Sequence, residues 1–241
     1  MPLPDAEVER ALVVTAHPDD VDFGAAGTIA TFVDAGIEVT YLLCTHGDQG
    51  GFDDTPREQM PALRAAEQRA AAAAVGVTDV RFLQGYRDGW LEPTFELQRD
   101  IVRVIRDVRP RRMLIQSPER NWRRIQASHS DHLAAGEAAI RAVYPSARNP
   151  HAWPELITDE GLQPWSVEEV WLMAHQENTH FVDITATFER KLAALRAHAT
   201  QTAHLGEGLE ARLRTWGGEQ AAAAGWGQGR LAEGFAVVPT A

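Results

Sequence analysis

The sequence predicts an α/β fold, a Rossmann-like and mainly parallel sheet with helices on both faces. Two observations carry that prediction. Short β-branched apolar runs alternate with segments of helical period a dozen or more residues long, which is the pattern of βαβ units. A chain of 241 residues, 44% hydrophobic, can also bury a full core, so 1–241 reads as a single domain that folds without a disulfide or metal staple.

The first strand is predicted at 11–15, Ala-Leu-Val-Val-Thr, apolar and bounded by polar positions. A helix follows over 24–35, with Phe23, Ala26, Ala30 and Val33 on one face and Gly36 as its stop. The second strand, 39–44, leads into a glycine-rich loop, HGDQGGFDDT, and then a long helix over 56–75 that stops at Gly76. A third strand at 80–83 and a helix at 95–108 come next, the latter ended by Pro110. A fourth strand at 113–115 is followed by a loop and a helix over 131–143. Later strands are expected at 169–174 and 181–185, with a helix at 188–199. Residues 145–168, carrying Pro145, Pro150, Pro154 and Pro164, read as an irregular loop excursion on the substrate side. There is no internal repeat, and the alanine runs at 70–74 and 221–224 sit in helix-compatible stretches.

Composition excludes several classes of function. With 34 acids against 23 bases, the chain lacks the excess positive charge that nucleic-acid phosphates require. No stretch approaches the ~20 apolar residues needed to cross a bilayer, and the acidic N-terminus does not read as a signal peptide. Cys44 alone cannot form an internal disulfide, which fits a reducing compartment, so a cytoplasmic protein is expected.

In an open parallel sheet, ligands bind at the carboxyl ends of the strands. Three of those ends carry imidazoles and carboxylates here: His17-Pro18-Asp19-Asp20, His46-Gly47-Asp48, and the loop closing in His129-Ser130-Asp131-His132. One acid after the first strand would suffice to cap a helix; two beside a histidine repel unless a cation or proton offsets them. His129 and His132, spaced to share a helix face, could be exposed residues beside an N-cap. Beside the first cluster they read as ligands instead. His17, Asp20 and one of His129 or His132 would form a His₂Asp site suited to a catalytic Zn²⁺ with one position open for water.

AHPDD, the following GAAGTIA, and H-x-D-H more than a hundred residues later resemble the PIG-L/LmbE-like deacetylases, zinc-dependent enzymes acting on N-acetylglucosamine conjugates. Weaker parts of the resemblance are Arg64-Ala-Ala-Glu67, Phe181-Val-Asp183, His198 to Gln201, and Ala232-Glu-Gly-Phe235. The resemblance implies His17, Asp20 and His132 as ligands of one Zn²⁺ per chain (another divalent metal being possible), with Asp19 as general base. It also implies that His129, protonated and supported by Asp131, faces the developing oxyanion. The chain departs from the family pattern at Asp48, where glutamate is usual, and at Ser130, where proline is usual.

Substrate contacts are expected from Asp48, Arg64, Trp122 and Arg123, although Arg64 with Glu67 also fits an ordinary surface ion pair. His46, His175 and His180 are expected near the cavity and unligated, His151, His198 and His204 as structural, and Cys44 as a buried small hydrophobe. The expected activity is removal of acetyl from an N-acetylglucosamine-type amide, in a possible homo-oligomer. The alternatives are an amidase on a glucosaminyl-inositol thiol conjugate or an aminosugar antibiotic intermediate, a metal-dependent phosphoesterase, and a non-catalytic sugar-binding protein.

Overall fold

The computed structural model describes residues 2–51 and 55–240. Phe52, Asp53 and Asp54, part of the glycine-rich loop read from the sequence, lie outside them. The elements run β1 (Arg10–Thr15), α1 (Asp20–Asp34), β2 (Glu38–Leu43), α2 (Met60–Val75), β3 (Asp79–Phe82), α3 (Phe95–Val108), β4 (Arg112–Gln116) and α4 (Ser130–Arg141). After them come α5 (Glu155–Thr158), β5 (Glu169–Met173), β6 (His180–Asp183), α6 (Phe188–Ala197), α7 (Ala199–Thr202), α8 (Gly208–Ala223) and β7 (Ala232–Pro239).

Seven strands form one sheet in the order β3-β2-β1-β4-β5-β7-β6. The pairings from β3 through β5 are parallel, with Leu12 of β1 beside Thr40 of β2 and Met113 of β4. Side chains alternate across a strand, and β1 divides accordingly. Leu12 and Val14 pack with Ile101 and Ile105 of α3 and Ala138 of α4 on one face. Ala11 and Val13 pack with Ile29 and Phe32 of α1 and Ala72 and Val75 of α2 on the other. Gly76 ends α2 at φ 89°, where its missing Cβ removes the left-handed penalty.

Two parts of the chain differ from expectation. Ala232–Pro239 is a strand that joins β5 and β6 antiparallel, so the sheet is mixed at that edge. The strand carries the apolar run Phe235-Ala-Val-Val238 and pairs along both of its edges. The excursion over 145–168 is not a substrate-side loop. Trp165 Nε1 donates to the Pro110 carbonyl at 2.7 Å, just before β4 begins, and Arg106 of α3 gathers the carbonyls of Ser146, Ala147, Asn149 and Ala152. The segment therefore packs toward the amino end of β4, away from the strand ends that carry the histidines. Among the described residues, no helix is long and apolar enough to cross a membrane.

Candidate metal centre

The turn between β1 and α1 builds the centre. Ala16 N–H donates to Gln116 Oε1 at 2.9 Å, tying the ends of β1 and β4 together. His17 N–H donates to Asp20 Oδ2 at 2.8 Å, so the same carboxylate that faces the site also closes the turn. Between them Asp19 sits at φ 84°, a left-handed conformation that costs a non-glycine residue ~1–3 kcal/mol. The surroundings hold it there: Gln68 Oε1 accepts from Asp19 N–H at 2.9 Å and Arg64 Nη2 lies 2.9 Å from Asp19 Oδ2.

Asp20 bridges the two outer histidines of the expected ligand set. Its Oδ2 lies 3.3 Å from His17 Nδ1 and its Oδ1 3.0 Å from His132 Nε2. The His17, His129 and His132 rings lie 5.1 to 5.3 Å apart, and each offers a nitrogen within 4.8 Å of the others. The far side of His17 faces two more carboxylates, with Asp88 Oδ1 at 3.0 Å and Asp131 Oδ2 at 3.1 Å from Nε2. A carboxylate on one ring nitrogen keeps the proton there and leaves the lone pair on the other. For His17 that directs Nδ1 toward Asp20 and His132.

Asp131 thus has more neighbours than the one expected. Its carboxylate stands 3.9 Å from His129 Nδ1, while its oxygens accept from Gly89 N–H at 2.7 Å and Leu91 N–H at 3.4 Å besides meeting His17. His129 Nδ1 accepts from Asp131 N–H at 3.2 Å and caps α4. With Nδ1 an acceptor, the ring proton belongs on Nε2. Burial, aided by the charges of His17 and His132, holds His129 below the usual imidazole range, with the Asp131 charge opposing.

The electrostatics call for a cation. Burial alone would lower the His17 imidazole, but the charge of Asp20 and hydrogen bonds to Asp131, Asp20 and Asp88 outweigh it and push it up to about 12. His132 is raised as well, the Asp20 charge and hydrogen bond overcoming burial. Burial would raise Asp20, yet His132 and His17 hold it well below the usual carboxylate range. Without metal, protons on histidine supply the positive charge that these acids demand. A divalent ion on imidazole and carboxylate donors would meet the same demand, and the donor set suits one. Cys44 is buried in the core and burial pushes its thiol up, which leaves it unsuited as ligand or nucleophile.

Asp19 lies at the edge of this set with its side chain 16% exposed. Burial, only partly offset by Arg64, raises its carboxyl to about 6. Arg64 is only 3% exposed, donating to the Gly47 and Pro18 carbonyls besides pairing with Asp19, so it is not a surface ion pair. Asp48 accepts from Asp88 N–H at 3.2 Å and lines a cavity of about 380 Å³ with His46, Tyr86 and Arg87. His46 stacks on Phe82, 4.9 Å between ring centroids, outside the histidine cluster. Trp122, 76% exposed, and exposed Arg123 stand on the loop before α4. His198 is fully buried with Nε2 2.8 Å from Asp22 Oδ2.

Asp88 and Gln68 were not foreseen. Asp88 follows β3, a strand end whose acid precedes the turn glycine Gly89 at φ 83°, and that pattern was a usable signal. Gln68 carried none beyond its place one helical turn after Arg64.

The chain matches the family model described as "PIG-L: GlcNAc-PI de-N-acetylase" over residues 12–143. It is 34% identical to the diacetylchitobiose deacetylase of Thermococcus kodakarensis over 199 residues, 82% of this chain and 72% of the relative. It is 31% identical to the 1D-myo-inositol 2-acetamido-2-deoxy-alpha-D-glucopyranoside deacetylase of Rhodococcus erythropolis over 258 residues, 86% of each chain. The solved N,N'-diacetylchitobiose deacetylase of Pyrococcus horikoshii superposes with a TM-score of 0.88 at 30% identity, covering 98% of this chain and 86% of that one.

Proposed function

Since the chain belongs to the GlcNAc-PI de-N-acetylase (PIG-L) family, we propose that it is a metal-dependent N-deacetylase that hydrolyses the acetamide of an N-acetylglucosamine-type substrate. The observation carrying this reading is the placement of an arginine-clamped carboxylate, Asp19, next in sequence to the Asp20 that bridges His17 and His132.

His17, Asp20 and His132 would hold the ion, zinc in this reading, which when bound supplies Lewis acidity toward the acetyl carbonyl and toward water. Asp19 accepts the proton of the attacking water as the new C–O bond forms. It returns that proton to nitrogen as the C–N bond breaks, so acetate and a free amine leave. Its position near pH 6 lets it serve in both directions at neutral pH. His129 Nε2–H donates to the developing oxyanion, a contact worth ~3–4 kcal/mol. Asp88 and Asp131 hold the His17 proton on Nε2. Asp48, Trp122 and Arg123 contact the sugar and its aglycone.

A phosphoesterase with two ions fits less well. The second acidic group, His17 with Asp88 and Asp131, would have to take its nitrogen from the imidazole the first set already uses.

The test is release of free amine from N-acetylglucosamine, diacetylchitobiose and an N-acetylglucosaminyl-inositol, before and after chelation and after zinc is restored. Amine release that is lost on chelation and regained with zinc is expected. Full activity in metal-stripped protein, or no release from any of these amides, refutes the reading.

A further inference from the structure

Resting on the reading of Asp19 as the base, we propose that His198 is a positioning residue which, through Asp22 and Gln68, holds the Asp19 backbone in the turn that presents its carboxylate. The line starts at the corner between α6 and α7. His198 Nε2 lies 2.8 Å from Asp22 Oδ2, and Gln68 Nε2 donates to the same oxygen at 2.8 Å. Gln68 Oε1 in turn accepts from Asp19 N–H at 2.9 Å. His198, Asp22 and Gln68 are fully buried, where α6, α1 and α2 pack together.

Donor and acceptor chemistry fixes the order of this line. A carboxylate only accepts, so Gln68 must turn its NH₂ toward Asp22, which leaves its carbonyl for Asp19 N–H. Asp22 Oδ1 has no protein partner among the described residues, so the two donors on Oδ2, His198 and Gln68, are what orient the carboxylate. Burial would lower the His198 imidazole, but the hydrogen bond and charge of Asp22 raise it, which keeps a donor in place. The grip matters because Asp19 sits at φ 84°, a conformation that persists only where its surroundings hold it. The Asp19 carbonyl already accepts from Asp22 N–H at 2.9 Å and Phe23 N–H at 3.0 Å, so Gln68 supplies the other end of the clamp. If that end were released, the Asp19 carboxylate would swing away from the attacking water. Asp20 would keep its own anchors, His17 N–H and His132. Stability alone does not call for so polar a line. His198 Nδ1, like Asp22 Oδ1, is buried without a protein partner among the described residues, and apolar side chains of the same size would fill the space without that cost.

The experiment measures kcat, KM, zinc affinity and thermal unfolding for His198→Leu, His198→Gln and Gln68→Met, and repeats His198→Leu in the Asp19→Asn background. His198→Leu fills the space but removes the donor, and should lower kcat by about 10- to 10²-fold through misplaced geometry, with KM and zinc affinity near those of the unsubstituted protein. His198→Gln returns an N–H donor close to the place of Nε2 and should recover most of that kcat, a rescue that packing alone does not give. Gln68→Met cuts the line at its last link and should lower kcat in the same selective way. In the Asp19→Asn background, His198→Leu should cost at most about twofold more, since residues that act as one unit are not additive. An unchanged kcat in His198→Leu overturns the proposal, as do equal losses in the Leu and Gln variants. Zinc affinity falling in step with kcat would reduce His198 to support of the fold, and a rise in KM with kcat kept would place its effect on substrate binding; either overturns it. The same fractional loss with and without the Asp19 carboxylate overturns it too. If His198→Leu does not fold, an unchanged kcat in Gln68→Met is decisive against it. An unsubstituted protein inert on every acetamide defeats the deacetylase reading itself, whereas an active one with additive losses defeats only the role of His198.

Discussion

Removing the carboxylates behind His17 should weaken metal binding without touching a ligand. His17 Nε2 meets two acceptors, Asp88 Oδ1 at 3.0 Å and Asp131 Oδ2 at 3.1 Å. In Asp88→Asn the amide oxygen can still accept from Gln49 N–H, now held at 2.9 Å by Oδ2, while Asp131 keeps the His17 proton on Nε2. Partners of this kind are worth 10–100-fold in metal affinity. Because the two acids share one proton, the single variant should lose about tenfold, ~1.4 kcal/mol, and Asp88→Asn/Asp131→Asn about 10²-fold, ~2.7 kcal/mol. In the double variant nothing fixes the tautomer, and the His17 proton can move to Nδ1, the nitrogen facing Asp20. Competition for zinc against a chromophoric chelator at fixed pH measures both. An unchanged zinc affinity in the double variant, with circular dichroism intact, would refute the assignment of Nδ1 as the ligating nitrogen.

Asp19→Asn should bind zinc fully yet lose about 10²–10⁴ in kcat, the range for a positioned base; metal analysis beside steady-state rates checks this. Asp19 works deprotonated and burial has moved it up from 3.8 to about 6. The acid limb of kcat/KM should therefore fall tenfold per pH unit below about 6, or lower still where bound metal adds positive charge, and a limb lying above pH 7 would contradict the role. His129→Ala should cost ~3–4 kcal/mol in kcat with little change in KM, the signature of a contact made only in the transition state. Lys191, whose ammonium pairs with buried Glu233 and donates to the Phe23 carbonyl, joins α6 to β7 and α1. Lys191→Met leaves the buried Glu233 carboxylate to the Gly27 and Thr28 N–H donors without a counter-charge and should destabilise the fold by about 3 kcal/mol in urea unfolding, with zinc affinity unchanged.

Local pattern determined the strands from β1 to β6 and the helices from α1 to α4 and α6, because a period of two or of 3.6 is written in neighbouring residues. It also brought His17, Asp20 and the pair His129 and His132 to one sheet edge, since parallel strands deliver their carboxyl ends there. Tertiary structure decided the rest. The pairing of Arg64 with Asp19 depends on a contact across 45 residues, and Asp131 reaches His17 across 114. Asp88 joins them through a loop with no period of its own. Ala232–Pro239 takes its place and direction from antiparallel pairing with β5 and β6, and the 145–168 excursion lies where Arg106 and Trp165 find carbonyls. Composition and spacing reveal which groups arrive at the sheet edge. Which nitrogen carries a proton, and which carboxylate is left to act, depends on distances of about 3 Å between segments that no sequence window contains together.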